Sequence, residues 1–137
     1  MKILVAEDDA VCRRFLELIL QRLGHTVKAC ADGYQAWRAY EAEDFNVVVS
    51  DWMMPVLDGL DLCRTIRKLN RSDYCYFIMS TSRDSSADIL EAKNAGVDDY
   101  VTKPLHKSEM ASRIEQAQRV LAYMRPGSPG GNQTAAS

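Results

Sequence analysis

The chain has 137 residues, with 17 Lys and Arg against 19 Asp and Glu and a formal net charge of -2. At that size roughly two thirds of the unfolded surface can be buried, so one domain with an unstapled core is expected, and the near-even charge supplies no broad basic field for direct nucleic acid binding. Hydrophobic residues make up 47%, yet no apolar run of about twenty residues and no N-terminal apolar signal occurs, so we expect an ordinary cytoplasmic protein with no membrane contact.

Ile3-Leu4-Val5-Ala6 is a short apolar run that ends in acid, Glu7-Asp8-Asp9. Val11, Phe15, Leu18, Ile19 and Leu23 then recur at helical spacing up to Gly24, which suits the left-handed position past a helix. Asp9 fits the preference for acids at a helix start. Thr26-Val27-Lys28-Ala29-Cys30 alternates weakly, like a strand near a sheet edge, and Asp32-Gly33 opens a helical stretch carrying Ala36, Trp37 and Tyr40. The pattern is strand, helix, strand, helix.

Val47-Val48-Val49 is a run without polar alternation, as in a strand buried on both faces of a parallel sheet, and it stops at Ser50-Asp51-Trp52-Met53-Met54-Pro55. Ligand sites in such sheets lie outside the carboxyl ends of the strands. Asp51 therefore stands either in a site or as a cap of its own loop. Asp58 can cap a helix with Leu60, Leu62, Cys63, Ile66 and Leu69 on its apolar side. Tyr76-Phe77-Ile78-Met79 is a fourth strand running into Ser80-Thr81-Ser82. Ser85 with Asp88 three residues on matches a capping box for a helix carrying Ile89, Leu90 and Ala95, which stops at Gly96.

Val97, Tyr100 and Val101 mark a fifth strand, closed by Thr102-Lys103-Pro104. Met110, Ile114, Ala117, Leu121 and Met124 follow at helical spacing, with Ser108 as a candidate cap. Residues 126–137 contain no large apolar side chain and cannot bury enough surface to offset their ordering entropy. We take 1–125 as one domain and 126–137 as a flexible tail or a linker cut short. The four cysteines, Cys12, Cys30, Cys63 and Cys75, have no C-x-x-C spacing and are read as reduced packing thiols.

Five strand-helix units with short connections imply a parallel sheet covered by helices on both faces. Glu7, Asp8, Asp51, Thr81 and Lys103 then all fall at carboxyl ends, on one edge. Two carboxylates about 4 Å apart repel by roughly 4 kcal/mol at an effective dielectric of 20, so three converging ones call for a cation. Oxygen donors with neither His nor Cys nearby favour a hard ion such as Mg²⁺, which takes one or two carboxylates and completes its shell from water and phosphate. Lys103 and Thr81 suit phosphoryl oxygens, and Asp51 suits a nucleophile that forms an aspartyl phosphate.

These residues resemble the receiver domains of two-component response regulators, the CheY-like family. The likeness rests on the acid pair Glu7-Asp8, the D-x-x-M-P-x-x-D-G signature (Asp51, Met54, Pro55, Asp58, Gly59), Thr81 after the fourth strand and Lys103-Pro104 after the fifth. It implies a flavodoxin-like, doubly wound α/β fold with five helices around five parallel strands in the order 2-1-3-4-5. It implies that Asp51 accepts a phosphoryl group from a histidine kinase or histidine phosphotransfer protein and loses it by slow self-dephosphorylation. The protein is then a signalling domain, and an enzyme only toward itself.

By the same resemblance Asp8 binds Mg²⁺ directly, with Mn²⁺ as a substitute, and Glu7 binds it through water. The Met53 carbonyl is a further ligand, Lys103 holds the phosphoryl group, and the peptide bond to Pro104 is cis. Thr81 and Tyr100 form a switch pair whose state reaches a downstream output domain, a target protein or a second copy through Ile89, Lys93, Tyr100 and the last helix.

Glu7 stands where Asp is commoner in the family. Arg83 is less typical too, and is read either as a solvated loop charge or as a cover for phosphoryl oxygens. Trp52 is expected to half cover the site, and His25 and His106 have no metal-ligand spacing. An aspartate-nucleophile phosphatase would need a second acid two residues after Asp51, where Met53 stands. A flavodoxin would need a hydroxyl-rich phosphate cradle after the first strand, where this chain has three acids.

Overall fold

The computed structural model describes residues 1–124. The elements are β1 (Lys2–Ala6), α1 (Ala10–Arg22), β2 (Thr26–Cys30), α2 (Gly33–Ala42), β3 (Val47–Ser50), α3 (Gly59–Leu69), β4 (Tyr76–Thr81), α4 (Ser86–Ala95), β5 (Asp99–Thr102) and α5 (Lys107–Met124). The five strands form one sheet in the order β2-β1-β3-β4-β5, with every neighbouring pair parallel. This is the doubly wound, flavodoxin-like arrangement that the sequence implied. The segment 126–137 lies outside the described residues.

Side chains alternate across the sheet with period two and feed two separate cores. Leu4, Ala6, Val48, Phe77 and Met79 pack with Ala36, Tyr40, Leu62, Cys63 and Ile66 on one face. Ile3, Val5, Val47, Val49 and Ile78 pack with Leu16, Ile19, Leu20, Met110, Ile114 and Ala117 on the other. A fully buried Val, Leu, Ile or Phe side chain contributes about 1.5–3 kcal/mol, which is why the unbroken apolar runs become the central strands. β2 has exposed Thr26 and Lys28 alternating with half-buried neighbours, as suits its place at the edge.

Polar residues set the helix starts. Asp9 accepts from Cys12 N at 3.2 Å, Asp32 from Gln35 N at 2.7 Å, Asp58 from Asp61 N at 2.8 Å and Ser85 from Asp88 N at 3.0 Å. Each such cap is worth about 1 kcal/mol. Gly24 and Gly96 take positive φ at the ends of α1 and α4.

Two helix readings are corrected, those of α1 and α5. In α1 the core-facing residues are Leu16, Ile19 and Leu20, whereas Val11 and Leu23 are exposed. Several phases of the 3.6-residue repeat were occupied by apolar residues, and those near the helix ends reach past the sheet. In α4 the buried residues are Ala92 and Ala95; Leu90 faces solvent, and so does Ile89, which the resemblance had put on the output face. Ser108 is not the cap of α5. The helix already includes Lys107, and Met110 N bonds the His106 carbonyl at 3.0 Å.

Candidate functional site

The register of the sheet decides which side chains meet. Ala6 pairs with Ser50, Ser50 with Met79, and Thr81 with Thr102, so the next residues on β1, β3 and β5 leave the sheet together. Asp51 N donates to Ala6 O at 2.9 Å, and Lys103 N to Thr81 O at 2.8 Å. These bonds extend the ladder by one step and fix the backbone under Asp51 and Lys103.

Lys103 reaches back across the strand ends. Its Nζ donates to Glu7 Oε1 at 2.7 Å and to Asp51 Oδ2 at 2.9 Å. Glu7 is fully buried and Asp51 nearly so, while Asp8 faces solvent. One carboxylate oxygen from each of Glu7, Asp8 and Asp51 lies within 4.8 Å of the other two. Burial pushes the Glu7 carboxyl above the usual range, and the Lys103 contact only partly opposes this. Burial works against the Lys103 charge, but the hydrogen bonds to Glu7 and Asp51 outweigh it and raise its pKa. One ammonium facing three carboxylates leaves the cluster net negative, and its all-oxygen donor set matches a hard divalent ion.

The acid loop is tied down from α1. Arg13 Nη1 donates to the Glu7 carbonyl at 2.8 Å and the Asp8 carbonyl at 3.4 Å, and Asp9 N donates to Glu7 Oε2 at 3.1 Å. Sequence reasoning missed Arg13 because its contacts are to backbone oxygens, which carry no residue signature. Its one visible signal was its helical spacing of four from Asp9.

Thr81, Trp52, Arg83 and Tyr100 form a second group beside the acids. Thr81 is buried, and its Oγ1 accepts from Arg83 N at 3.3 Å. The half-buried Tyr100 donates its hydroxyl to the Arg83 carbonyl and meets the Trp52 ring edge-on at 6.5 Å between centroids. Trp52, beside Asp51, is deeply buried, with 2% of its surface accessible. Arg83 is not a solvated loop charge. Its guanidinium lies 4.2 Å from the Trp52 ring centroid and 2.7 Å from Asp88 Oδ1. The burial of Trp52 required a roof that no local pattern announced.

Met53 is exposed, with its sulfur 3.6 Å from Arg83 Nη1. The Lys103–Pro104 peptide bond is cis. His25 lies at the far end of the strands, where its Nδ1 accepts from the Met1 ammonium at 3.0 Å. A cavity of about 350 Å³ lined by Asn46, Arg71, Tyr74 and Leu121 also sits at that far end, away from the acids, and gathers no comparable chemistry. All four cysteines are free. No helix among the described residues is long and apolar enough to cross a membrane.

Comparison with known proteins gives this arrangement relatives. The chain is similar to the chemotaxis protein CheY1 of Helicobacter pylori, at 35% identity over 117 residues that cover 84% of this chain and 94% of that protein. It is 41% identical over 118 residues to the protein named probable transcriptional regulator ycf27 of Cyanophora paradoxa, covering 86% of this chain and 48% of that one. It thus spans about half the length of that second relative. Among solved structures, the receiver domain of a sensor histidine kinase from Pseudomonas aeruginosa, with a magnesium ion in its active-site cleft, superposes with a TM-score of 0.76. That pair is 33% identical and covers 88% and 96% of the two chains. The family model for the response regulator receiver domain matches residues 3–115, the span that carries all five strands and the residues gathered at their ends, and the chain belongs to this family of two-component signalling domains.

Proposed function

We propose that Asp51 accepts a phosphoryl group from a phosphohistidine of a histidine kinase or histidine phosphotransfer protein. The observation that carries this reading is Lys103 Nζ bridging Glu7 Oε1 and Asp51 Oδ2. The lysine occupies one oxygen of Asp51, while Oδ1 has no hydrogen-bond partner among the described residues. Oδ1 attacks phosphorus, the P–N bond breaks, and the imidazole leaves with its electron pair and takes up a proton. Lys103 Nζ and the Thr81 hydroxyl receive the phosphoryl oxygens, and charge development is met by groups already in place.

Glu7, Asp8, Asp51 and the Met53 carbonyl are the residues to hold Mg²⁺, or Mn²⁺ in its stead. The fit is supported by the mutual approach of the three carboxylates and by the absence of soft donors among them. When bound, the ion supplies charge neutralisation for the phosphoryl oxygens. Water entering past the exposed Asp8 attacks phosphorus slowly, the P–O bond to Asp51 breaks, inorganic phosphate leaves and the free carboxylate is restored.

Output then runs through the switch pair. Thr81, drawn toward the phosphoryl group, and Tyr100 together alter the face made by α4, β5 and α5. There a groove of about 280 Å³ is lined by Ile89, Ala92, Lys93, Val97 and Tyr100. A downstream domain, a target protein or a second copy binds that face, in the cytoplasm.

Intact mass spectrometry after incubation with acetyl phosphate and Mg²⁺ tests the assignment. One added phosphoryl group is expected in the wild type, none in Asp51→Asn, and little when the metal is chelated. Equal labelling of Asp51→Asn overturns it.

A further inference from the structure

Helix α4 is anchored unlike its neighbours. α3 buries Leu60, Leu62, Cys63 and Ile66, whereas α4 buries only the alanines Ala92 and Ala95 and turns Ile89 and Leu90 outward. So little apolar surface holds a helix weakly, and its position must be set by polar ties at its two ends. At the C-terminal end Arg67 donates Nε and Nη2 to the Gly96 carbonyl at 3.1 and 2.9 Å, and Nη2 to Asp98 Oδ2 at 2.8 Å. At the N-terminal end the tie is Arg83, whose Nη2 and Nε donate to Asp88 Oδ1 at 2.7 and 3.2 Å.

The two ties differ in what lies behind them. Arg67 braces α4 against α3 and the start of β4, remote from the acids. Arg83 stacks its guanidinium on Trp52, the residue that follows Asp51 in the chain, at 4.2 Å from the ring centroid. Its backbone engages both candidate switch residues: its N–H donates to Thr81 Oγ1, and its carbonyl accepts the Tyr100 hydroxyl. One residue therefore touches the neighbour of the acceptor, the hydroxyl, the aromatic ring and α4.

We propose that Arg83 is a positioning residue that couples the Asp51 site to α4. Stacking on Trp52 holds the loop between β4 and α4 with its carbonyl under the Tyr100 hydroxyl, and the ion pair to Asp88 transmits the loop's position to the helix. The role needs a planar cation that offers its face to an aromatic ring and its edge to a carboxylate at once, which Arg does and Lys does not. This inference rests on the reading of Asp51 as phosphoacceptor and of Thr81 and Tyr100 as its switch.

Amide hydrogen exchange and amide chemical shifts, with and without beryllofluoride plus Mg²⁺, test it in wild type, Arg83→Ala, Arg83→Lys and Asp88→Asn. Without ligand, the α4 amides of Arg83→Ala and Asp88→Asn should exchange at least about tenfold faster while those of α3 keep their rates. With beryllofluoride, the α4 shift changes should fall below about half of wild type in Arg83→Ala and in Arg83→Lys, while the changes in the loops of Asp8, Asp51 and Lys103 persist. Wild-type α4 exchange in Arg83→Ala, or full α4 shift changes in Arg83→Lys, overturns the proposal. If the wild type shows no shift in the Asp51 loop, the phosphoacceptor reading fails instead, and the ligand-free exchange still decides whether Arg83 holds α4.

Discussion

A Cβ added to Gly59 would lie 2.1 Å from the carbonyl oxygen of Asp51 and 3.0 Å from Met79 Sδ. The first turn of α3 is thus pressed under the backbone of the candidate acceptor, and Gly59 N reinforces the contact by donating to the Trp52 carbonyl at 2.8 Å. Gly59→Ala must push that backbone aside, at a cost of about 1–3 kcal/mol, and should lower phosphoryl uptake from acetyl phosphate. Gly24, where φ is +93° and a Cβ meets nothing within 4 Å, is the control. Gly24→Ala should cost about 1–2 kcal/mol from the left-handed backbone alone and leave uptake intact. Urea denaturation and mass spectrometry on the two variants check the contrast.

Lys103 is the one cation paired with the Glu7 and Asp51 carboxylates among the described residues. Removing it leaves a buried, unneutralised carboxylate pair, and because Lys103 is partly exposed the loss should be about 1–3 kcal/mol, below that for a fully buried pair. A divalent ion should replace part of the missing charge. Millimolar Mg²⁺ is therefore expected to raise the Tm of Lys103→Ala by more than that of wild type and to leave Asp8→Asn unshifted. Equal shifts in wild type and Asp8→Asn would move the metal elsewhere.

Val56 has φ of +72° and Leu57 N bonds the Pro55 carbonyl at 2.8 Å, so a β-branched residue forms the centre of a strained three-residue γ-turn. Its side chain is 91% exposed and recovers nothing from packing. Val56→Gly should relieve about 1 kcal/mol and raise the Tm by roughly 3–5 °C for a domain of this size. Calorimetry on the metal-free protein gives the number, and an unchanged or lower Tm would show that the turn carries no strain to release.

The His25 pKa is lowered, first by burial and then by the Met1 ammonium beside it. The unfolded chain thus binds a proton that the folded one declines, and stability contributed by neutral His25 is present above its unfolded pKa and lost as pH falls. Unfolding free energy should decline between about pH 7 and pH 5, and His25→Gln should flatten that decline. The raised Glu7 pKa has the opposite sign, its contribution being lost as pH rises above the usual carboxylate range, and because it is common to both proteins the difference between wild type and His25→Gln isolates the histidine.

The parallel sheet was legible because Val47-Val48-Val49 and Tyr76-Phe77-Ile78-Met79 lack alternation, which only central parallel strands require, and because each ends in a functional group; its order came from the family resemblance alone. The acids and Lys103 were legible for the same reason: a strand end fixes a side chain's place in space once strands run parallel. Arg13, Arg83 and the burial of Trp52 were not. Arg13 binds carbonyl groups and Arg83 binds an aromatic face, and neither interaction imposes a spacing in the chain. The buried face of α4 was not legible either, because hydrophobic periodicity weighs Ile89 and Leu90 above alanine, although close approach to the sheet selects the small residues Ala92 and Ala95.

The sheet keeps its two cores apart. Trp52 and Tyr100 belong with the set packed under α2, α3 and α4, while Leu16, Ile19, Met110 and Ile114 fill the opposite side. Changes such as Ile19→Val, costing about 0.5–1.5 kcal/mol, can therefore accumulate or be compensated beneath α1, away from the face made by α4, β5 and α5 and without disturbing the Trp52 and Tyr100 packing. Over evolutionary time the packing beneath α1 is free to drift at a different rate from the packing beneath α4, one answering to temperature and the other to the message. A designer wishing to harden this protein without changing what it says should begin on the side where Ile3 and Val5 point.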